Sequence, residues 1–251
     1  MTDYLIYACV ILLTRLVYLS NDGPLSIRAN GLLAVAQLAG VGLLFSVGAA
    51  SLAAMGVILI TALCNHFLEA RLDLKNGYRL LPLLLLLLVP DYVHSVAGGL
   101  ALRDWVIGLA EHLATHLALF DLRGFGVADQ MILAVFGGLL LANEANILVR
   151  AVFHHCKLEP GSGAGQPADS AIDEKEYNAG RVIGFLERWL MMLVILYAGN
   201  ISALAFIIAA KGLARMKQME DKQFAEYMLI GTLVSTLCAV VVGFWLQALV
   251  V

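Results

Sequence analysis

Trp189-Leu-Met-Met-Leu-Val-Ile-Leu-Tyr-Ala-Gly-Asn-Ile-Ser-Ala-Leu-Ala-Phe-Ile-Ile-Ala-Ala210 is a run of 22 residues without a charge, flanked by Glu187-Arg188 and Lys211. At ~1.5 Å per helical residue it is as long as the roughly 30 Å hydrocarbon layer of a bilayer is thick. A second uncharged run, Met228 to Val251, has 24 residues, and the two are joined by the charged, helix-forming stretch Lys211 to Glu226. Read this way, residues 180–251 are a two-helix transmembrane hairpin, and lipid is the solvent of the chain.

Composition agrees. Of 251 residues, 61% are hydrophobic and only 14% charged, with a mean hydropathy of +0.86, too few charges to clothe a water-soluble globule. A net charge of −3 without a Lys/Arg block excludes the clustered cations that nucleic acid requires. Cys9, Cys64, Cys156 and Cys238 are scattered, without CxxC spacing, and read as apolar packing residues. Met1-Thr-Asp3 lacks the positive region of a signal peptide, so the first helix is expected to stay in place. No cofactor is called for.

Outward from the hairpin, the fold class is an all-α polytopic transmembrane helix bundle of about seven or eight spans. Residues 1–157 form its N-terminal bundle, and 158–179, glycine-rich and then acidic, a flexible extramembrane linker. Tyr4 to Leu19 is a marginal first span interrupted by Arg15. Ala29 to His66 carries no Asp, Glu, Lys or Arg over ~57 Å of helix and must reverse, best at Ser46-Val-Gly48. Leu80 to Leu102 is read as one run with Pro90-Asp91 near its middle, and Gln130 to Val149 as another. Asp104 to Leu119 either crosses or lies in the interface. If it crosses, ten cations fall on one side against five on the other, which favours eight crossings with both termini outside.

A charge in hydrocarbon costs about 2.5–3.5 kcal/mol, so each one needs a partner, a cavity or an escape route. Asp91 and His94 share a helix face, and Pro90 frees backbone carbonyls beside them. Glu144 lies between Asn143 and Asn146. These five are candidates for an ion or proton site; the alternative is that Asp91 pairs with Arg15 or a His, and that the amides join helices. Arg181, Glu187 and Arg188, with Gly184 on the same face, are candidates for an anionic headgroup. The alternative there is an interfacial ion pair anchored by Trp189. His66 and Glu69 on one helix end, with His112 and His116 at i, i+4, are the candidate metal ligands. His154-His155-Cys156 reads as an interfacial rim, and Asn200 as a helix contact in mid-span.

Glu176-Tyr-Asn-Ala-Gly180-Arg181-Val-Ile-Gly184-Phe-Leu-Glu187-Arg188, Ala209-Ala-Lys211-Gly-Leu-Ala-Arg215 and Phe224-Ala-Glu226-Tyr227-Met-Leu-Ile-Gly231-Thr232 resemble the C-terminal part of a family of bacterial polytopic membrane proteins classed as a domain of unknown function. The resemblance covers about 70 residues. It implies a bacterial inner-membrane protein and brings no activity. The functional expectation is a non-enzymatic, homo-oligomeric transport, channel or membrane-response protein with the bilayer and a small ion or lipid as partners. The alternatives are an intramembrane metal-dependent enzyme acting on a lipid or prenyl-phosphate headgroup, and a pore-type effector.

Overall fold

A computed structural model describes residues 2–20, 25–71, 77–117, 127–157, 174–198 and 201–250. Every regular element among them is a helix. In chain order these are α1 (Thr2–Arg15), α2 (Val17–Ser20), α3 (Ile27–Leu44), α4 (Ala49–Arg71), α5 (Leu80–Ala97), α6 (Asp104–Leu117), α7 (Val127–Leu139), α8 (Ala145–His155), α9 (Glu174–Leu193), α10 (Ser202–Ala214) and α11 (Lys222–Val250). A π-helical turn, Leu140–Glu144, joins α7 to α8, and another, Val194–Ala198, extends α9. Helix is what an apolar chain must form in lipid, because no water is present to take up the backbone N–H and C=O groups. Five stretches among the described residues are long and apolar enough to cross: Thr2–Leu19, Ile27–Leu44, Leu80–Ala97, Met131–His155 and Lys222–Leu249. Ala49–Asn65 and Ser202–Ala214 are apolar but shorter.

The chain forms two compact units, Met1–Asn143 and Glu144–Val251. The division falls inside the α7–α8 helix and not at the expected linker, because α8 packs on α11. Of that linker, 158–173 lies outside the described residues, and α9 already begins at Glu174.

In the first unit, α3 and α4 form the expected antiparallel hairpin. Ser26 caps α3, its Oγ accepting from the Ala29 amide at 3.2 Å. After α5 the chain departs from expectation. The helix does not run on to Leu102 but ends at Ala97, where Gly98 and Gly99 take φ of +67° and +86°, a region that suits glycine. The extended segment that follows is stitched to the α3–α4 connection. Ser46 N–H donates to Ala101 O, Arg103 N–H to Leu44 O, and Phe45 and Leu102 form an antiparallel bridge. Arg103 closes the end of α3, its guanidinium donating to Phe45 O at 3.0 Å and Gly42 O at 2.8 Å.

In the second unit the 22-residue run is not one span. Glu187 of α9 pairs with Lys211 of α10, and the space beside Gly180 is bordered by the Arg215 guanidinium. The two helices are therefore antiparallel, and the chain reverses between Ala198 and Ser202. α11 runs parallel to α9, because Arg188 meets Ser235 and, two turns on, Ile195 meets Gly243. The two-helix hairpin expected for 180–251 is thus a three-helix unit. The Arg181/Glu187/Arg188 and Lys211/Arg215 groups, expected at opposite ends of a span, come to the same level. Asp221 caps α11, its Oδ1 accepting from the Phe224 amide at 2.9 Å. Asn200 lies outside the described residues.

Candidate functional site

The polar interior of the first unit is built from residues that carry no warning in a hydropathy plot. Asn30 and Gln37 stand two turns apart on α3, Thr61 and Asn65 one turn apart on α4, and the hairpin turns both pairs inward. Arg15, at the end of α1, and Arg79, just before α5, are each 1% exposed. Arg15 Nη2 donates to the Arg79 carbonyl at 2.8 Å, and both guanidiniums lie over the Tyr18 ring, at 5.1 and 4.4 Å from its centroid. Such cation–π contacts are worth about 2 kcal/mol or more each when desolvated. Asn30 Nδ2 donates to Ala62 O at 2.8 Å and Thr61 Oγ1 to Ile58 O at 3.1 Å. The side chains of Arg15, Asn30, Gln37, Thr61, Asn65 and Leu86 border a recess with room for about one water molecule. Asn65 Oδ1 is fully buried, without a hydrogen-bond partner within the protein.

Asn30 lies three residues and Gln37 ten residues into α3, so the polar lining runs from about 5 Å to about 15 Å along the helix, close to its midpoint. Neutral amides do not stand out in a chain whose rare charges are the first groups to need explaining. The signal was present in their spacing and in the expected fold-back of the hairpin.

Of the expected ion or proton candidates, Asp91 and His94 lie on α5, and Asn143, Glu144 and Asn146 lie at the π-helical turn and the start of α8. Asp91 is six residues before the end of the shortened α5, not at mid-helix, and its side chain is exposed. His94 Nδ1 accepts from the Leu100 amide at 3.3 Å, tying down the segment after the helix. Pro90 lacks the N–H that would bond Leu86 O. That carbonyl is taken by a side chain from α1, Tyr7 Oη donating at 2.7 Å, while Tyr4 Oη donates to Leu87 O at 3.1 Å. Asn143 and Glu144 are buried at the π-helical turn, and Asn146 is half-buried.

In the second unit Lys211 Nζ lies 2.5 Å from Glu187 Oε2, and the two side chains are only 20% and 16% exposed. Arg188 is buried and turned toward α11, Nη1 donating to Ser235 Oγ at 3.2 Å. A Cβ at Gly184 would sit 3.6 Å from Arg188 Nη1, so the space beside this glycine is bordered by the arginine of its own helix. Arg181 is half-buried. Among the described residues no three His, Cys, Asp or Glu side chains come together as metal ligands. Glu111 and His112 are exposed on α6, while the side chains of His66, Glu69 and His116 lie outside the described residues. His154, His155 and Cys156 are exposed at the end of α8.

No family model, no curated protein and no solved structure matches the chain.

Proposed function

We propose that this chain is a multi-pass protein of the bacterial inner membrane that works without covalent chemistry, passing or sensing a proton or small hydrophilic ion through the polar interior of its first unit. The observation that carries the reading is the amide-lined recess. Gln37 is 4% exposed, is halfway along a helix long enough to cross a bilayer, and shares a recess with Arg15, Thr61 and Asn65. Amides at that depth serve either as glue between helices or as the lining of a wet passage. The clustering of Gln37, Asn30, Thr61 and Asn65 with Arg15 around one recess favours the passage over a single helix-joining amide. Purified protein in liposomes is expected to dissipate a proton or monovalent-ion gradient, and Gln37→Leu to slow that flux at least ~10-fold while the protein remains folded. No flux of any of H⁺, Na⁺, K⁺ or Cl⁻ would defeat the proposal.

The reading includes an arrangement of eight crossings: Thr2–Leu19, α3, α4, α5, α7–α8, α9, α10 and α11, with α6 lying along the surface. Antiparallel α9 and α10 supply two of them where the sequence suggested one. Counting sides by alternation, Arg15, Arg28, Arg71, Lys75, Arg79, Arg150, Lys157, Lys175, Arg181, Lys211, Arg215, Lys217 and Lys222 fall together, thirteen cations, against Arg103 and Arg123; Arg188 lies within a crossing. The bias of ten to five given by the uninterrupted run becomes thirteen to two, which is what the positive-inside rule demands of the cytoplasmic face. In a variant without the native cysteines, Lys157→Cys and Lys217→Cys are expected to react with an impermeant maleimide from the same side and Val47→Cys from the other. Lys157→Cys reacting with Val47→Cys would return a crossing to α6. Self-association, the expectation from the sequence, belongs to the same reading and is decided by native mass spectrometry from lipid nanodiscs.

A further inference from the structure

We propose that the imidazole of His94 is an acid-sensitive latch: uncharged, it holds the segment 98–103 against the α3–α4 connection, and protonated it releases that segment. The proposal deepens the reading of the first unit as one that passes or senses a proton, and it takes from that reading the placement of the end of α5 on the outer side of the membrane, where it meets external acidity. His94 lies three residues before the end of α5 and is half-buried, so a proton can reach its ring. Two amides of the chain beyond the helix turn back to this one residue. Gly98 N–H donates to its carbonyl at 2.9 Å, and Leu100 N–H donates to its Nδ1 at 3.3 Å. A backbone N–H can only donate, so Nδ1 must offer a lone pair. In the imidazolium both ring nitrogens are donors, and the bond to Leu100 becomes two N–H groups facing one another.

Leu100 is 1% exposed, so water does not replace the lost acceptor. The penalty for a buried, unsatisfied amide corresponds to roughly a 5- to 150-fold shift toward the released segment. On either side of Leu100 the chain hangs on the α3–α4 connection by backbone bonds: Ala50 N–H donates to Gly98 O at 3.3 Å, Ser46 N–H to Ala101 O at 2.9 Å and Arg103 N–H to Leu44 O at 2.9 Å. Release at the centre therefore loosens Ser46 as well. The elements around His94 leave it to act alone. On α5 itself Asp91 stands one turn back and is exposed, the acid to which a protonated ring can turn; Tyr92 beside it is exposed too. α4 carries no titratable side chain from Ala49 to Leu63. α1 brings Asp3 and Tyr4, and Tyr4 Oη is spent on Leu87 O. Arg103 is held by Phe45 O and Gly42 O, Asp104 opens α6, and Tyr78 and Arg79 lie at the other end of α5.

The experiment is site-resolved amide hydrogen exchange on the full chain in nanodiscs at about pH 8 and about pH 5, the limits between which imidazole changes charge. Each rate is divided by that of the unstructured amide at the same pH. In the wild type the protection of Leu100 and of Ser46 is expected to be full at the higher pH and to fall at least ~5-fold at the lower, while Ile58, inside α4, keeps its protection. In His94→Asn and in His94→Phe, neither of which takes up a proton, Leu100 and Ser46 are expected to show the same protection at both pH values; either variant suffices if the other fails to fold. A smaller fall in the wild type would overturn the proposal, and so would a fall that survives in either variant. Flux without a response of Leu100 would remove the latch and keep the transport reading; a response of Leu100 in a protein that passes no ion would do the reverse.

Discussion

Pro90 and Tyr7 are coupled through one carbonyl, and the coupling can be measured. Proline at position 90 leaves Leu86 O without its intrahelical donor, and Tyr7, 0% exposed, supplies a hydroxyl at 2.7 Å. Tyr7→Phe keeps the ring and its packing against Phe45, 6.1 Å away in an edge-on contact, and removes only the donor. An unsatisfied buried carbonyl costs about 1–3 kcal/mol, whereas hydrogen bonds inside membrane bundles average ~0.6 and reach ~1.7 kcal/mol. Deep burial and the absence of a competing N–H place this one at the upper end, about 1.5 kcal/mol. In a Pro90→Ala background the alanine N–H closes the bond to Leu86 O, so removing the tyrosine hydroxyl should then cost less than ~0.5 kcal/mol. The assay is a double-mutant cycle by steric trapping in bicelles, which reads unfolding without leaving the bilayer environment. An equal cost of Tyr7→Phe in both backgrounds would refute the reasoning, since the hydroxyl would then be serving something other than the carbonyl freed by proline.

The Gly48–Gly99 contact gives a graded series. A Cβ on Gly48 would lie 2.5 Å from Gly99 O and one on Gly99 2.6 Å from Ala49 N, while Gly98, at φ +67° and ψ −158°, has open space. Gly98→Ala should cost about 1–3 kcal/mol from backbone strain alone and Gly48→Ala about the same from overpacking; Gly99→Ala, which incurs both, should destabilise more than either in the same assay. For the ion pair, Glu187→Gln and Lys211→Met are each expected to destabilise by about 3 kcal/mol, because each strands a desolvated charge, and the exchange Glu187→Lys with Lys211→Glu to recover most of the loss. Gly231→Leu should unfold or reorganise the second unit, since even a Cβ would meet the Phe153 ring at 2.6 Å and that ring is stacked 4.3 Å from Tyr227; Gly231→Ala with Phe153→Leu should restore the thermal midpoint.

How much of this was legible follows from which groups lipid forces to declare themselves. The fold-back at Ser46-Val47-Gly48 could be read because an uncharged stretch of nearly twice the membrane thickness has no alternative. The reversal after Ala198 could not be read by length, since 22 residues make one good span. Its signal was of another kind: Glu187 and Lys211 have opposite charges and stand twelve residues either side of Gly199, the arrangement of an antiparallel pair. Taking Gly199-Asn200 as a packing patch hid that symmetry. The end of α5 was missed for a similar reason. Gly98-Gly99 is a break signal, but the apolar Leu100-Ala-Leu beyond it continues the hydropathy, and only the hydrogen bonds to Ala101 and from Arg103 show that the backbone found partners outside a helix.

The candidate residues divide on the same principle. A charge costs enough in hydrocarbon that it is seldom left without an engagement: Glu187 holds Lys211, Arg103 closes α3, and Arg188 reaches Ser235. His94, a titratable group on the same list, is bound to the backbone amide of Leu100. Searching a membrane sequence for charges therefore finds its braces first. A neutral amide costs less to bury, so the fold can tolerate one that is not fully paired, and Asn65 Oδ1 is such an atom.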